Sequence, residues 1–273
     1  MWTESAIYLK VAIIYIMFDN PEKHFNREHF QAESPLSEIE GEFMGGERVK
    51  FIARWRGDAP DPINFTGIYT EAEIITDLKE LARRKASIKK EKHDRATLAE
   101  AFLYELIDKH ELLGGKIEAI PTSEFDDLVN AVDMVLEITR GEKPCLLGVD
   151  VTISEDDETI KAKKAAINGA LRNKKLTEVK YFQSEPNPPG RVEVPKVVLS
   201  ITRKDLQNIA GMLHSGKDDD LVLRPLQEKL TNQIGVQLAE AQNTLQNLRP
   251  LTGRRRELIS IYQKLRQSIS PNS

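Results

Sequence analysis

The runs "VDMVLEI" (residues 132–138) and "GVDVTIS" (148–154) each hold one aspartate among apolar residues. A lone carboxylate in such a run costs free energy unless something compensates it. Both runs read as β-strands, in which alternate side chains share a face. Asp133, Val135 and Glu137 then lie on one side of the first, and Asp150 and Thr152 on one side of the second. The linker "TRGEKPC" is short enough for a hairpin. Pairing of the two strands would bring Asp133 and Asp150 together. Two adjacent carboxylates repel unless a cation sits between them. A hard divalent ion, Mg²⁺ or Mn²⁺, takes oxygens of this kind. It can also activate water and polarise a phosphodiester.

The elements that must position this pair follow from pattern. Thr70 and Glu73 form a capping box that opens a helix through "EAEIITDLKELARRKASIKKEK". "DRATLAEAFLYELIDKHELLGG" is a second helix, with Leu98, Phe102 and Leu106 along one stripe and Gly114-Gly115 at its end. "KIEAI" starts a β rhythm, and "PTSEFDDL" is a polar turn in which Asp126 and Asp127 either supplement a metal site or, the preferred reading, cap and solvate the turn. After the two acid-bearing strands comes a helix, "SEDDETIKAKKAAINGALRNKK", then strands "TEVKYF" and "PKVVLSI". The helix "TRKDLQNIAGMLHSG" and a long amphipathic helix bearing Leu226, Leu230, Leu238, Ala241, Leu245 and Leu248 complete the series, with a last helix beyond Pro250. The order predicts an α/β fold with a mixed central sheet flanked by helices. Residues 1–69 read as a strand-rich extension, 70–215 as the core and 216–273 as a helical extension. In the first of these, Gly45-Gly46 suggests a hairpin, and Phe51, Ala53 and Trp55 alternate as in a strand.

A helix, a strand, an aspartate at the head of the next strand and "D-x-T" on a third, followed by a helix, resembles the PD-(D/E)XK nuclease superfamily. The likeness spans about residues 95–182. The stretch "FDDLVNAVDMVLEI … LLGVDVTIS … LTEVKYF" is also similar to an uncharacterised group of bacterial proteins with a D…DxT variant. The resemblance implies a restriction-endonuclease-like αβββαβ core and a metal-dependent nuclease. It implies Asp133 as the strand-leading acid, Asp150 as the second acid and a helical glutamate as a third ligand of Mg²⁺ or Mn²⁺. That glutamate is Glu100 or Glu105, with Glu100 preferred. The family places a lysine where this chain has Thr152, so either the lysine has moved or hydrolysis is lost. At about 100° per residue, Lys164 falls within the stripe of Ile160, Ile167 and Leu171 and is the preferred migrated lysine. Lys161 and Lys163 read as solvated flanks, and Lys180 ranks behind Lys164.

Basic residues supply weaker candidates for gripping nucleic-acid phosphates: Arg83, Arg84, Lys89 and Lys90, and the turn Arg254, Arg255 and Arg256. Charge runs on helices are more often solvated faces. The formal net charge of -4 gives no overall field towards nucleic acid or anionic membrane. Scattered histidines argue against zinc, and one cysteine, Cys145, excludes an internal disulfide and suits a cytoplasmic setting. "VAIIYIMF" is far shorter than the roughly 20 residues of a membrane span, so no membrane partner is expected. The alternatives to a nuclease are an inactive module of the same fold that binds nucleic acid or protein, and a scaffold forming a homo-oligomer through the long C-terminal helix.

Overall fold

The computed structural model describes residues 47–88, 90–139, 144–153, 157–216, 220–250 and 252–269. They belong to one compact unit, Phe43–Ser273. The expected Gly45-Gly46 hairpin and the 11–18 apolar stretch lie outside the described residues. The elements are α1 (Glu47–Asp58), a 3-10 turn (Pro62–Phe65), α2 (Glu71–Ser87), α3 (Lys90–Lys109), β1 (Ile117–Pro121), α4 (Glu124–Asn130), β2 (Met134–Ile138), β3 (Cys145–Ile153), α5 (Asp157–Arg172), β4 (Thr177–Phe182), β5 (Gly190–Val194), β6 (Lys196–Ile201), α6 (Arg203–Ser215), α7 (Asp220–Asn247) and α8 (Gly253–Ile269).

The central sheet is mixed, in the order β1-β2-β3-β6. β1, β2 and β3 form an antiparallel meander, and β6 joins β3 in parallel. Alternation along the strands sends Met134, Leu136, Leu147, Val149, Val151, Val197 and Leu199 into the main core. There they meet the apolar stripe of α3 and the leucines of α7 and α8. The opposite face carries Val132 and Val135 against Val179, Phe182 and Val194 of the β4–β5 hairpin. The hairpin comes so close that a Cβ on Gly148 would lie 2.9 Å from Val194 Cγ2, which accounts for glycine in mid-strand.

Four expectations are corrected. Residues 47–58 are helical, not a strand: Phe51 and Trp55, four residues apart and so on one face of an alternating strand, are also about one helical turn apart. Trp55 is fully buried and Phe51 meets Phe102 edge to face at 5.5 Å, so α1 is part of the core. "TEVKYF" forms β4 of a separate two-stranded sheet, and "PKVVLSI" supplies the strand beside β3 instead. The order from α3 onward is α3-β1-α4-β2-β3-α5-β4-β5-β6, which departs from αβββαβ by a helix between the first two strands and a hairpin before the last. "PTSEFDDL" contains α4, whose N-cap Ser123 accepts from the Asp126 N–H. The capping box of α2 is present as read, but that helix ends at Ser87 and α3 begins at Lys90.

The open edge of β6 is closed by side chains. Gln237 of α7 accepts from Val198 N–H at 2.9 Å and donates to Val198 O at 2.8 Å. Gln233 does the same at Ser200, at 2.8 and 2.9 Å. Four residues of helix advance about 6 Å and two of strand about 6.6 Å, so the two amides match the strand repeat. This covers an edge that would otherwise present unpaired backbone. The Leu226, Leu230, Leu238 and Leu245 stripe is buried in the same chain's core. That stripe is therefore not a free surface for a second copy. Among the described residues no helix is long and apolar enough to cross a membrane.

Candidate metal centre

Three acids converge at one end of the central sheet. Glu100 lies on α3, Asp127 on α4 and Asp133 at the head of β2. One carboxylate oxygen from each lies within 4.8 Å of the other two, and all three residues are buried. At such a separation two negative charges repel by about 3–4 kcal/mol at an effective dielectric of about 20. Burial, followed by the charge of Asp127, holds Glu100 well above the usual carboxylate range. Burial, followed by Glu100, Asp127 and Asp150, does the same to Asp133. Burial raises Asp127 to about 6 against the opposing pull of Arg56. Glu100 Oε2 and Asp127 Oδ2 are buried without a hydrogen-bond partner among the described residues. Buried polar atoms are almost always satisfied. Two orphaned acceptors within a trio of buried carboxylates therefore fit a hard oxygen-seeking cation such as Mg²⁺ or Mn²⁺.

Local structure aims each acid. Thr122, just after β1, donates from its hydroxyl to the carbonyls of Val132 and Asp133, and its N–H also bonds Asp133 O at 3.2 Å. The N–H of Asp133 donates to Val149 O, and its Oδ2 accepts the Val151 N–H at 2.6 Å. The side chain thus extends the β2–β3 ladder by one step. On α4 the adjacent acids diverge by about 100°. Asp126 accepts from Ser123 Oγ, Asn130 Nδ2 and the N–H groups of Lys180 and Tyr181, which ties α4 to β4. Asp127 turns to the cluster.

Asp150 sits beside this trio rather than in it. The pairing of Met134 with Val149 puts Asp133 alongside Asp150 at the next step. Yet Asp150 gives its oxygens to lysines: Lys163 Nζ lies 2.5 Å from Oδ1, and Lys196 Nζ lies 3.8 Å from Oδ2. Of the expected ligands Glu100, Asp133 and Asp150, the structure gathers Glu100 and Asp133 with Asp127 in a cluster that could hold a metal ion. The lysine of α5 that pairs with Asp150 is Lys163, read from sequence as a solvated flank, and not Lys164. Lys196 was not foreseen. It opens β6, donates to Ala131 O at 3.1 Å, and is lowered by burial against the pull of Asp150. Thr152 is buried on the Asp150 side of β3.

Other candidates go elsewhere. Glu105 pairs with Arg54 at 2.6 Å, away from the cluster. Lys180 pairs with Asp77 at 2.5 Å and packs over the Tyr69 ring. Arg83 and Arg84 both bond Glu80 on their own helix. Lys89 lies outside the described residues, as does the side chain of Lys90. Arg254 pairs with Glu193 and Glu257. Arg255 is buried and donates to the carbonyls of Leu245 and Gln246 at the end of α7, a capping role that removes it from phosphate binding. Arg256 is exposed. Asp127 ranked as a capping residue rather than a ligand because its segment reads as a polar turn. The Ser123-x-x-Asp126 cap was the signal for a helix, and a helix separates consecutive residues.

No family model, curated protein or solved structure matches the chain.

Proposed function

We propose that the chain is a metal-dependent nuclease-like protein that hydrolyses nucleic-acid phosphodiesters, in keeping with its resemblance to the PD-(D/E)XK superfamily. The observation that supports this most is the convergence of three buried carboxylates, two with unpartnered oxygens. Glu100, Asp127 and Asp133 would hold Mg²⁺ or Mn²⁺. Such an ion, when bound, supplies a Lewis acid and an activated water. Asp150 holds the Lys163 ammonium at the edge of the trio. There Lys163 supplies the positive charge that Thr152 cannot, and orients the attacking water by hydrogen bonding. Lys196, kept poorly solvated, adds a second cationic group on the same carboxylate.

Calorimetry with Mn²⁺, alongside cleavage of labelled DNA and RNA, tests the reading on the wild type and Asp150→Ala. Tight binding with cleavage by the wild type, and cleavage lost in the folded variant, is the expected result. Binding without cleavage favours the inactive binding module, for which the substitution at Thr152 speaks. No binding at all ends the proposal.

A further inference from the structure

We infer that Arg56, on a helix outside the stretch that carries the family resemblance, grips a non-bridging oxygen of the phosphodiester at the carboxylate cluster. This deepens the nuclease reading and rests on it. The guanidinium lies 3.8 Å from Glu124 Oε1 and 3.8 Å from Asp127 Oδ2. Both separations are too long for a hydrogen bond. Among the described residues Arg56 has no hydrogen-bonded acceptor, so its donors are undischarged beside an orphaned carboxylate oxygen. Its position is nonetheless set. The guanidinium carbon stands 4.5 Å from the centre of the Trp55 ring, and Trp55 is fully buried in the core. Stacking holds the plane and leaves the N–H edge open. Lys85 takes Glu124 at 2.7 Å and so partly neutralises one of the two competitors for that edge.

Charge balance points the same way. One divalent cation leaves the three carboxylates with a negative charge in excess, and Arg56 offsets it. A phosphodiester anion then arrives at a site that no longer repels it. A planar fork suits two phosphate oxygens better than a point charge does.

The test uses the full chain with Arg56→Gln and Arg56→Lys. Binding of fluorescein-labelled DNA and RNA strands is read by anisotropy in Ca²⁺, cleavage in Mn²⁺, and metal affinity by calorimetry. Loss of one charge-assisted pair weakens binding of the bound strand about ten- to a hundred-fold. Arg56→Gln is expected to show that loss and a matching fall in kcat/KM, with Mn²⁺ affinity unchanged or tighter. Arg56→Lys is expected to fall between it and the wild type. Equal strand binding and cleavage in wild type and folded Arg56→Gln overturns the role of Arg56 alone. Weakened Mn²⁺ affinity in Arg56→Gln also overturns it, because the residue would then be shaping the cluster. A wild type that binds Mn²⁺ but neither binds nor cleaves either strand overturns both readings.

Discussion

Asp133 Oδ2 takes the backbone N–H of Val151 at 2.6 Å, so a side chain at the head of β2 completes the hydrogen bonding of β3 one residue past Asp150. The same carboxyl faces Glu100 and Asp127 with its other interests. It is at once a rung of the sheet and a member of a charged cluster. These two duties separate on substitution.

Asp133→Asn keeps an oxygen for Val151 and removes a buried charge. Metal-free stability is expected to equal or exceed that of the wild type. Asp133→Ala leaves the Val151 N–H unsatisfied and is expected to cost about 1–3 kcal/mol. Both are expected to lose Mn²⁺ affinity. Urea unfolding in chelator, paired with calorimetry, separates them; equal destabilisation by the two would show that the charge, not the hydrogen bond, matters to the fold.

Lys163 and Lys164 are adjacent, but only Lys163 reaches Asp150. Lys163→Met leaves Asp150 with Lys196 alone at 3.8 Å. A stability loss of about 1–3 kcal/mol is expected, with cleavage lost and Mn²⁺ still bound. Lys164→Met is expected to leave both properties near wild type. The reverse pattern in a cleavage assay would return the role to Lys164.

The acid cluster makes metal-free stability fall as pH rises. Glu100, Asp127 and Asp133 all have folded-state pKa values raised above those of the unfolded chain. The folded chain therefore binds more protons, and stability declines once pH passes the unfolded value near 4. For Asp127 the loss runs from about pH 4 to its raised value of about 6. The other two extend it upward. In chelator the urea midpoint is expected to be lower at pH 8 than at pH 5. Mn²⁺ should restore more at pH 8, where the ligands are deprotonated. A midpoint that climbs between these pH values would show that the carboxyls are not crowded as described.

Gln237 bonds both backbone groups of Val198. Gln237→Ala strips two satisfied groups from a buried strand edge. A loss of about 2–3 kcal/mol in urea unfolding is expected, with Mn²⁺ affinity unchanged. A variant as stable as the wild type would mean that the edge finds other partners.

Much of this arrangement was legible in local pattern. The two acid-bearing strands, their hairpin pairing and the helix bearing Glu100 all follow from periods of 2 and 3.6. The cap at Thr70 follows from its own residues. The errors share a form. Phe51 and Trp55 satisfy a strand alternation and a helical turn alike, and only packing against Phe102 chooses between them. "TEVKYF" and "PKVVLSI" are equally good strands, and which one joins β3 depends on residues far along the chain.

The sequence by itself determined which segments carry the acids and that Asp133 and Asp150 would be neighbours. It also determined that Glu100 would sit at the edge of an apolar stripe. The tertiary structure alone decided that Asp127 replaces Asp150 in the cluster, that Lys163 and not Lys164 meets Asp150, and that Arg56 comes to stand beside Asp127. The physical reason is rotational. Local rules place a residue on a face to within a neighbour or so. Which of two flanking side chains points at the site is set by how the whole element turns to bury its apolar surface against partners remote in sequence.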